Sequence, residues 1–111
     1  MRALVLTNFI TGLILVLISL PMMANKIKPN RFYGFRTRRT LENPETWYKA
    51  NEFAGKQLFA AGIFTSLVAI GFAFIPGLDL LAYSIASLVA IVVALIIAVI
   101  RSMSYLNSLG E

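Results

Sequence analysis

The chain has 111 residues, 59% hydrophobic and 14% charged, with no Cys and no His, and a mean hydropathy of +0.79. A small water-soluble domain exposes a large share of its surface and usually carries about 25% charged residues. This composition excludes a soluble monomer, and it is too apolar for disorder. Without Cys or His there can be no disulfide, thiol chemistry, imidazole base or common zinc site.

Three apolar stretches dominate the chain, at about 3–24, 57–75 and 80–100. Each approaches the roughly 20 helical residues that cross a bilayer, and none holds an Asp, Glu, Lys or Arg. Lipid offers no partners to backbone polar groups, so each stretch is expected to be a helix. The fold class that follows is an all-α membrane protein with three transmembrane helices in a single domain over 1–111. A cleaved signal peptide is the alternative for the first stretch. Its long apolar run and Met22, three positions before a cut after Ala24, argue against it.

The first stretch carries Thr7, Asn8, Thr11 and Gly12. Asn8 is expected either to pair inside the bundle or to reach interfacial water. The polar connector 25–56 comes next. It holds eight basic residues against three acidic ones and so carries the whole net charge of +5. The positive-inside rule places it in the cytoplasm. In this multi-pass protein of the cell membrane the N-terminus and the Pro76–Asp79 turn are then outside, and the C-terminus is cytoplasmic. Phe32, Tyr33, Phe35, Trp47 and Tyr48 crowd this connector. Aromatic rings favour the headgroup region, so the loop is expected to fold back on the membrane surface or the helix ends.

Asn43 is a good N-cap and Pro44 suits the first helical position. A juxtamembrane helix is therefore expected from Pro44 into the second span, with a bend at Gly55. Trp47, Asn51 and Gly55 share one face of it. Glu45–Lys49 and Glu52–Lys56 are spaced for i, i+4 pairing. Pro76-Gly77 then marks a tight turn into the third helix. Small residues let membrane helices approach closely. Ala61, Thr65, Ala69 and Ala73 on the second helix, and Ala82, Ala86, Ala90, Ala94 and Ala98 on the third, recur every four residues. They are expected to form the contact of the hairpin. The tail from Ser102 is expected to lie against the membrane surface through Met103, Tyr105 and Leu109.

Within the loop, Asn30, the run Tyr33-Gly34-Phe35-Arg36-Thr37, Thr40, Trp47, Asn51 and Ala54-Gly55 resemble the signature of the SdpI family. These are small multi-pass bacterial membrane proteins named for an immunity protein against a secreted peptide toxin. Arg38 departs from the pattern, standing where many members carry Pro. The founding type also has further membrane helices before this unit. The resemblance implies tolerance to a peptide toxin, with possible signalling through a cytoplasmic regulatory protein held at the membrane.

The candidate binding residues are Asn30, Tyr33, Gly34, Arg36, Thr37, Thr40, Trp47, Asn51 and Gly55. Arg36, with Thr37 and Thr40, is suited to a phosphate or carboxylate. The alternative is an Arg tethered to Glu45, Glu52 or a helix carbonyl. Trp47 and Asn51 either line the same site or act as an interface anchor and a loop fastener. The remaining loop cations are expected to set topology and touch anionic lipid headgroups. Nucleic acid is not needed to explain them.

No catalytic motif, metal site or cofactor is expected. The alternatives to an immunity protein are an oligomeric channel or transporter unit and an anionic-lipid-binding accessory protein. The channel requires a homo-oligomer, since three helices enclose no useful pore.

Overall fold

A computed structural model describes residues 1–109. Its elements are α1 (Arg2–Met23), α2 (Arg38–Glu42), α3 (Pro44–Ala73) and α4 (Leu80–Ser108), with no strand among the described residues. Helices α1, α3 and α4 are each long and apolar enough to cross a membrane. At 1.5 Å per residue the 30 residues of α3 reach about 45 Å, beyond the ~30 Å hydrocarbon core. The molecule is accordingly 52 Å long. The extra turns of α3 and α4 stand clear of the apolar zone at the end where the polar loop lies, called here the loop end.

Helix α3 is central, with α1 on one side, α4 on another and α2 resting on its first turns. The crossing with α1 is set by two glycines. A Cβ on Gly12 would lie 2.5 Å from the Gly62 carbonyl oxygen and would overlap Ser66 Oγ, and one on Gly62 would lie 2.6 Å from the Gly12 carbonyl oxygen. The backbones therefore touch directly, as small residues permit in lipid. Ser66 Oγ donates to the Phe9 carbonyl at 2.9 Å across the same seam.

The α3–α4 contact is less purely alanine-lined than the four-residue spacing implies. Ala61, Thr65 and Ala69 are buried, while Ala73 is exposed beside the start of α1. On α4, Ala82, Ala86, Ala90 and Ala94 are half-buried and Ala98 is buried. The deepest α4 positions are Tyr83, Ser87, Ser102 and Leu106, with Ala98 between them. Tyr83 OH donates to the Ala69 carbonyl at 2.8 Å. Asn8 Nδ2 donates to Ser87 Oγ at 3.1 Å and ties α1 to α4. Asn8 therefore pairs inside the bundle.

Each helix end has a local cause. Helix α1 continues through Pro21. It closes with Asn25 in the left-handed region at φ 59, Lys26 N–H bonded to the Pro21 carbonyl and Asn25 N–H to that of Met22. This is a Schellman end with Asn in place of the usual Gly. The turn after α3 places Pro76 and Gly77, the latter at φ 78, at its centre. Asp79 then caps α4 by accepting from Ala82 N–H at 2.8 Å.

One expectation is corrected. The tail from Ser102 is not a surface segment, because α4 runs on to Ser108, buries Leu106 and stacks Tyr105 on Phe53 with ring centroids 4.3 Å apart. Gly55 lies within the continuous helix α3. It is the point where α3 meets Met22 and Met23 of α1.

Gly12→Ala should destabilise the bundle by about 1–3 kcal/mol through overpacking, whereas Gly71→Ala, with open space around its Cβ, should not. Thermal unfolding in detergent separates the two. Thr65 Oγ1 is buried without a hydrogen-bond partner, so the same assay should find Thr65→Val unchanged or more stable by about 1 kcal/mol.

Candidate functional site

The loop is held by side-chain bonds to backbone. Asn30 Oδ1 accepts from Phe32 N–H at 2.8 Å and Tyr33 N–H at 2.7 Å, and its Nδ2 donates to the Lys28 carbonyl at 2.7 Å. These bonds turn the chain at Asn30 by the usual Asx route. Tyr33 OH then reaches back to the Ile18 carbonyl near the end of α1. Burial pushes the Tyr33 phenol pKa up, which keeps it protonated as a donor.

Asn51, buried on α3, grips the next segment. Its Oδ1 accepts from Phe35 N–H at 2.6 Å, and its Nδ2 donates to the Phe35 carbonyl at 3.3 Å and the Trp47 carbonyl at 2.9 Å. One amide thus satisfies both backbone groups of Phe35, as a paired strand would. Trp47 is fully buried, and its Nε1–H donates to the Ile27 carbonyl at 2.8 Å. Gly34 lies against both residues. Its φ is 109°, and a Cβ there would meet Asn51 Oδ1 at 2.6 Å and Trp47 Cζ2 at 3.2 Å. A side chain would be both strained and blocked at that position.

Thr37 and Thr40 form a reciprocal cap on α2. Thr40 N–H donates to Thr37 Oγ1 at 3.2 Å and Thr37 N–H donates to Thr40 Oγ1 at 2.7 Å. Asn43 caps α3 by accepting from Glu45 N–H at 2.9 Å, with Pro44 in the first turn. Helix α2 and its cap were not anticipated from the sequence. The available signal was Thr-x-x-Thr, a relative of the Ser/Thr-x-x-Glu/Gln capping box.

The structure therefore brings Asn30, Tyr33, Gly34, Thr37, Thr40, Trp47 and Asn51 into one folded clasp at the loop end, while Gly55 packs against Met22 and Met23 of α1. Arg36 is different. It is exposed and makes no hydrogen bond or ion pair among the described residues. Neither Glu45 nor Glu52 tethers it. The observed ion pairs are Arg38–Glu42 and Lys49–Glu45, both at 2.9 Å, and no Glu52–Lys56 pair forms among the described residues.

The Lys49 hydrogen bond, then its charge, hold the Glu45 carboxyl below its ordinary range, and Glu45 raises the Lys49 ammonium in turn. This modest helix support is present at neutral pH. It is lost as acid protonates the folded-state carboxylate, or as alkali deprotonates the folded-state Lys49. Phe32 is 91% exposed, so one aromatic points away from the clasp while Trp47 is enclosed by it.

Gly34→Ala should cost about 1–3 kcal/mol by forcing a side chain into a left-handed position. It should also red-shift the emission of Trp47, the only Trp, and speed tryptic cleavage after Arg36.

A family model described as the SdpI/YfhL protein family matches residues 26–105, a span that takes in the clasp, α2, α3 and most of α4. Neither the curated proteins nor the solved structures compared give a match. Three helices able to cross a membrane and a family match over most of the chain make this a membrane protein of the SdpI/YfhL family.

Proposed function

We propose that this chain is a membrane-embedded binding protein, not an enzyme, that confers tolerance to a secreted peptide toxin. Its clasped loop faces the cytoplasm and offers a docking surface to an acidic regulatory protein. The charge distribution supports that orientation. Residues 25–41 hold six cations and no acid, and such short loops stay on the cytoplasmic side. Family membership supports the tolerance role through the SdpI resemblance.

The observation that carries the reading is Arg36. The side chains of Asn30, Tyr33, Thr37, Thr40, Trp47 and Asn51 order the loop through hydrogen bonds, and Arg36 is left exposed without a partner among the described residues. A guanidinium on a pre-ordered loop binds a carboxylate or phosphate without a further ordering cost. Cationic neighbours speed encounter with an acidic surface.

Cells producing the chain, its Arg36→Ala variant or neither should be challenged with a panel of membrane-active peptides at matched membrane levels. Survival with the unaltered chain and at least about a tenfold loss with Arg36→Ala are expected, because hydrogen bonds to charged groups are worth about 1.5–3 kcal/mol. Identical survival of all three against every peptide contradicts the proposal.

A further inference from the structure

At the loop end, α1 and α4 do not close on each other. A cleft of about 210 Å³ separates them. Its walls are Ile18 and Met22 of α1, Leu58 of α3, Leu95 and Val99 of α4, and Phe35 of the clasp. On each helix the lining positions recur about every four residues, so the cleft runs parallel to the helix axes. From Leu95 to Ser102 it extends about 10 Å along α4. The Tyr33-Gly34-Phe35 run lies across its polar end, and Arg36 follows immediately.

The two polar side chains in the wall are already bonded. Tyr33 OH donates to the Ile18 carbonyl and Ser102 Oγ donates to the Ala98 carbonyl. The side chains of the cleft wall therefore offer mainly hydrocarbon contact. Its volume falls short of the roughly 300–1,000 Å³ of sites for drug-sized molecules. It suits one narrow apolar chain lying along the membrane normal. Arg36, next in the chain after the wall residue Phe35, is exposed and without a partner among the described residues, and no acid occurs between Asn25 and Leu41.

We propose that this cleft is a specific site for one anionic phospholipid, with an acyl chain between α1 and α4 and the phosphate at Arg36. Charge complementarity selects the headgroup, and the helix-parallel groove selects a chain from the leaflet on the loop side. The site shares Arg36 with the proposed docking surface, but lipid retention is read without any toxin or regulator, so the two proposals fail separately.

The test is native mass spectrometry of the full chain, delipidated in detergent and given equimolar phosphatidylglycerol and phosphatidylcholine of matched chains. One phosphatidylglycerol per chain should be retained, with about a fivefold preference over phosphatidylcholine, the value of one cation near a leaflet surface. Arg36→Gln should bring the preference close to one, whereas Arg31→Gln should not. Val99→Phe fills the cleft from an exposed position of α4. It should abolish retention of both lipids at unchanged Trp47 emission.

Equal retention of the two lipids by the unaltered chain overturns the proposal. So does an equal loss of preference in Arg36→Gln and Arg31→Gln, which would mean diffuse charge and no positioned site. A dimer broken by Val99→Phe with lipid retention unchanged would assign the cleft to a second copy and overturn it as well.

Discussion

The Asn51 amide is the contact on which the loop end depends. It binds the N–H and carbonyl of Phe35 and the carbonyl of Trp47 at once. A polar connector beside a membrane has two ways to satisfy its backbone, through water or through its own side chains. This loop uses the second at its centre. Gly34 must lack a side chain because Asn51 and Trp47 occupy that space. Trp47 in turn fixes the Ile27 carbonyl just after α1. A run of cations that would repel one another in a loose loop is thereby held in one arrangement, with Arg36 on its surface.

The clasp sits on a bundle held together differently. In lipid, apolar side chains have little preference for one another, so close backbone approach and a few hydrogen bonds decide which helices touch. Gly12 against Gly62, Ser66 to Phe9, Tyr83 to Ala69 and Asn8 to Ser87 supply both. Large apolar residues such as Leu17, Leu67 and Leu88 remain exposed, as expected of a surface that faces acyl chains. The α1–α3 seam is tight from the Gly12–Gly62 crossing to Gly55 against Met22 and Met23, whereas α1 and α4 part near Met22 and Val99. The cleft follows from that asymmetry.

Much of this was legible in the sequence. Uninterrupted apolar runs gave the three spans, and Asn43-Pro44 gave the start of α3, because caps and prolines act locally. The motif residues were legible as a group. Their individual roles were not, because Asn51 gripping Phe35 depends on a contact sixteen residues away. The end of α4 is not legible because the tail from Ser102, with Met103, Tyr105 and Leu109 spaced among polar residues, looks like a surface segment. Only the extension of α3 beyond the apolar zone gives Tyr105 and Leu106 something to pack on. Alanine spacing found the correct helix pair but missed Tyr83 and Ser87. Periodicity marks a face, while the deepest position is set by which side chain can bond across it.

Amide hydrogen exchange of the full chain in lipid nanodiscs, with and without Asn51→Ala, tests the central claim most directly. The account predicts a protected Phe35 amide in the unaltered chain. Asn51→Ala should remove that protection while amides at the α1–α3 crossing near Gly12 and Gly62 stay protected. A Phe35 amide that already exchanges at the rate of an unstructured peptide in the unaltered chain would contradict the account.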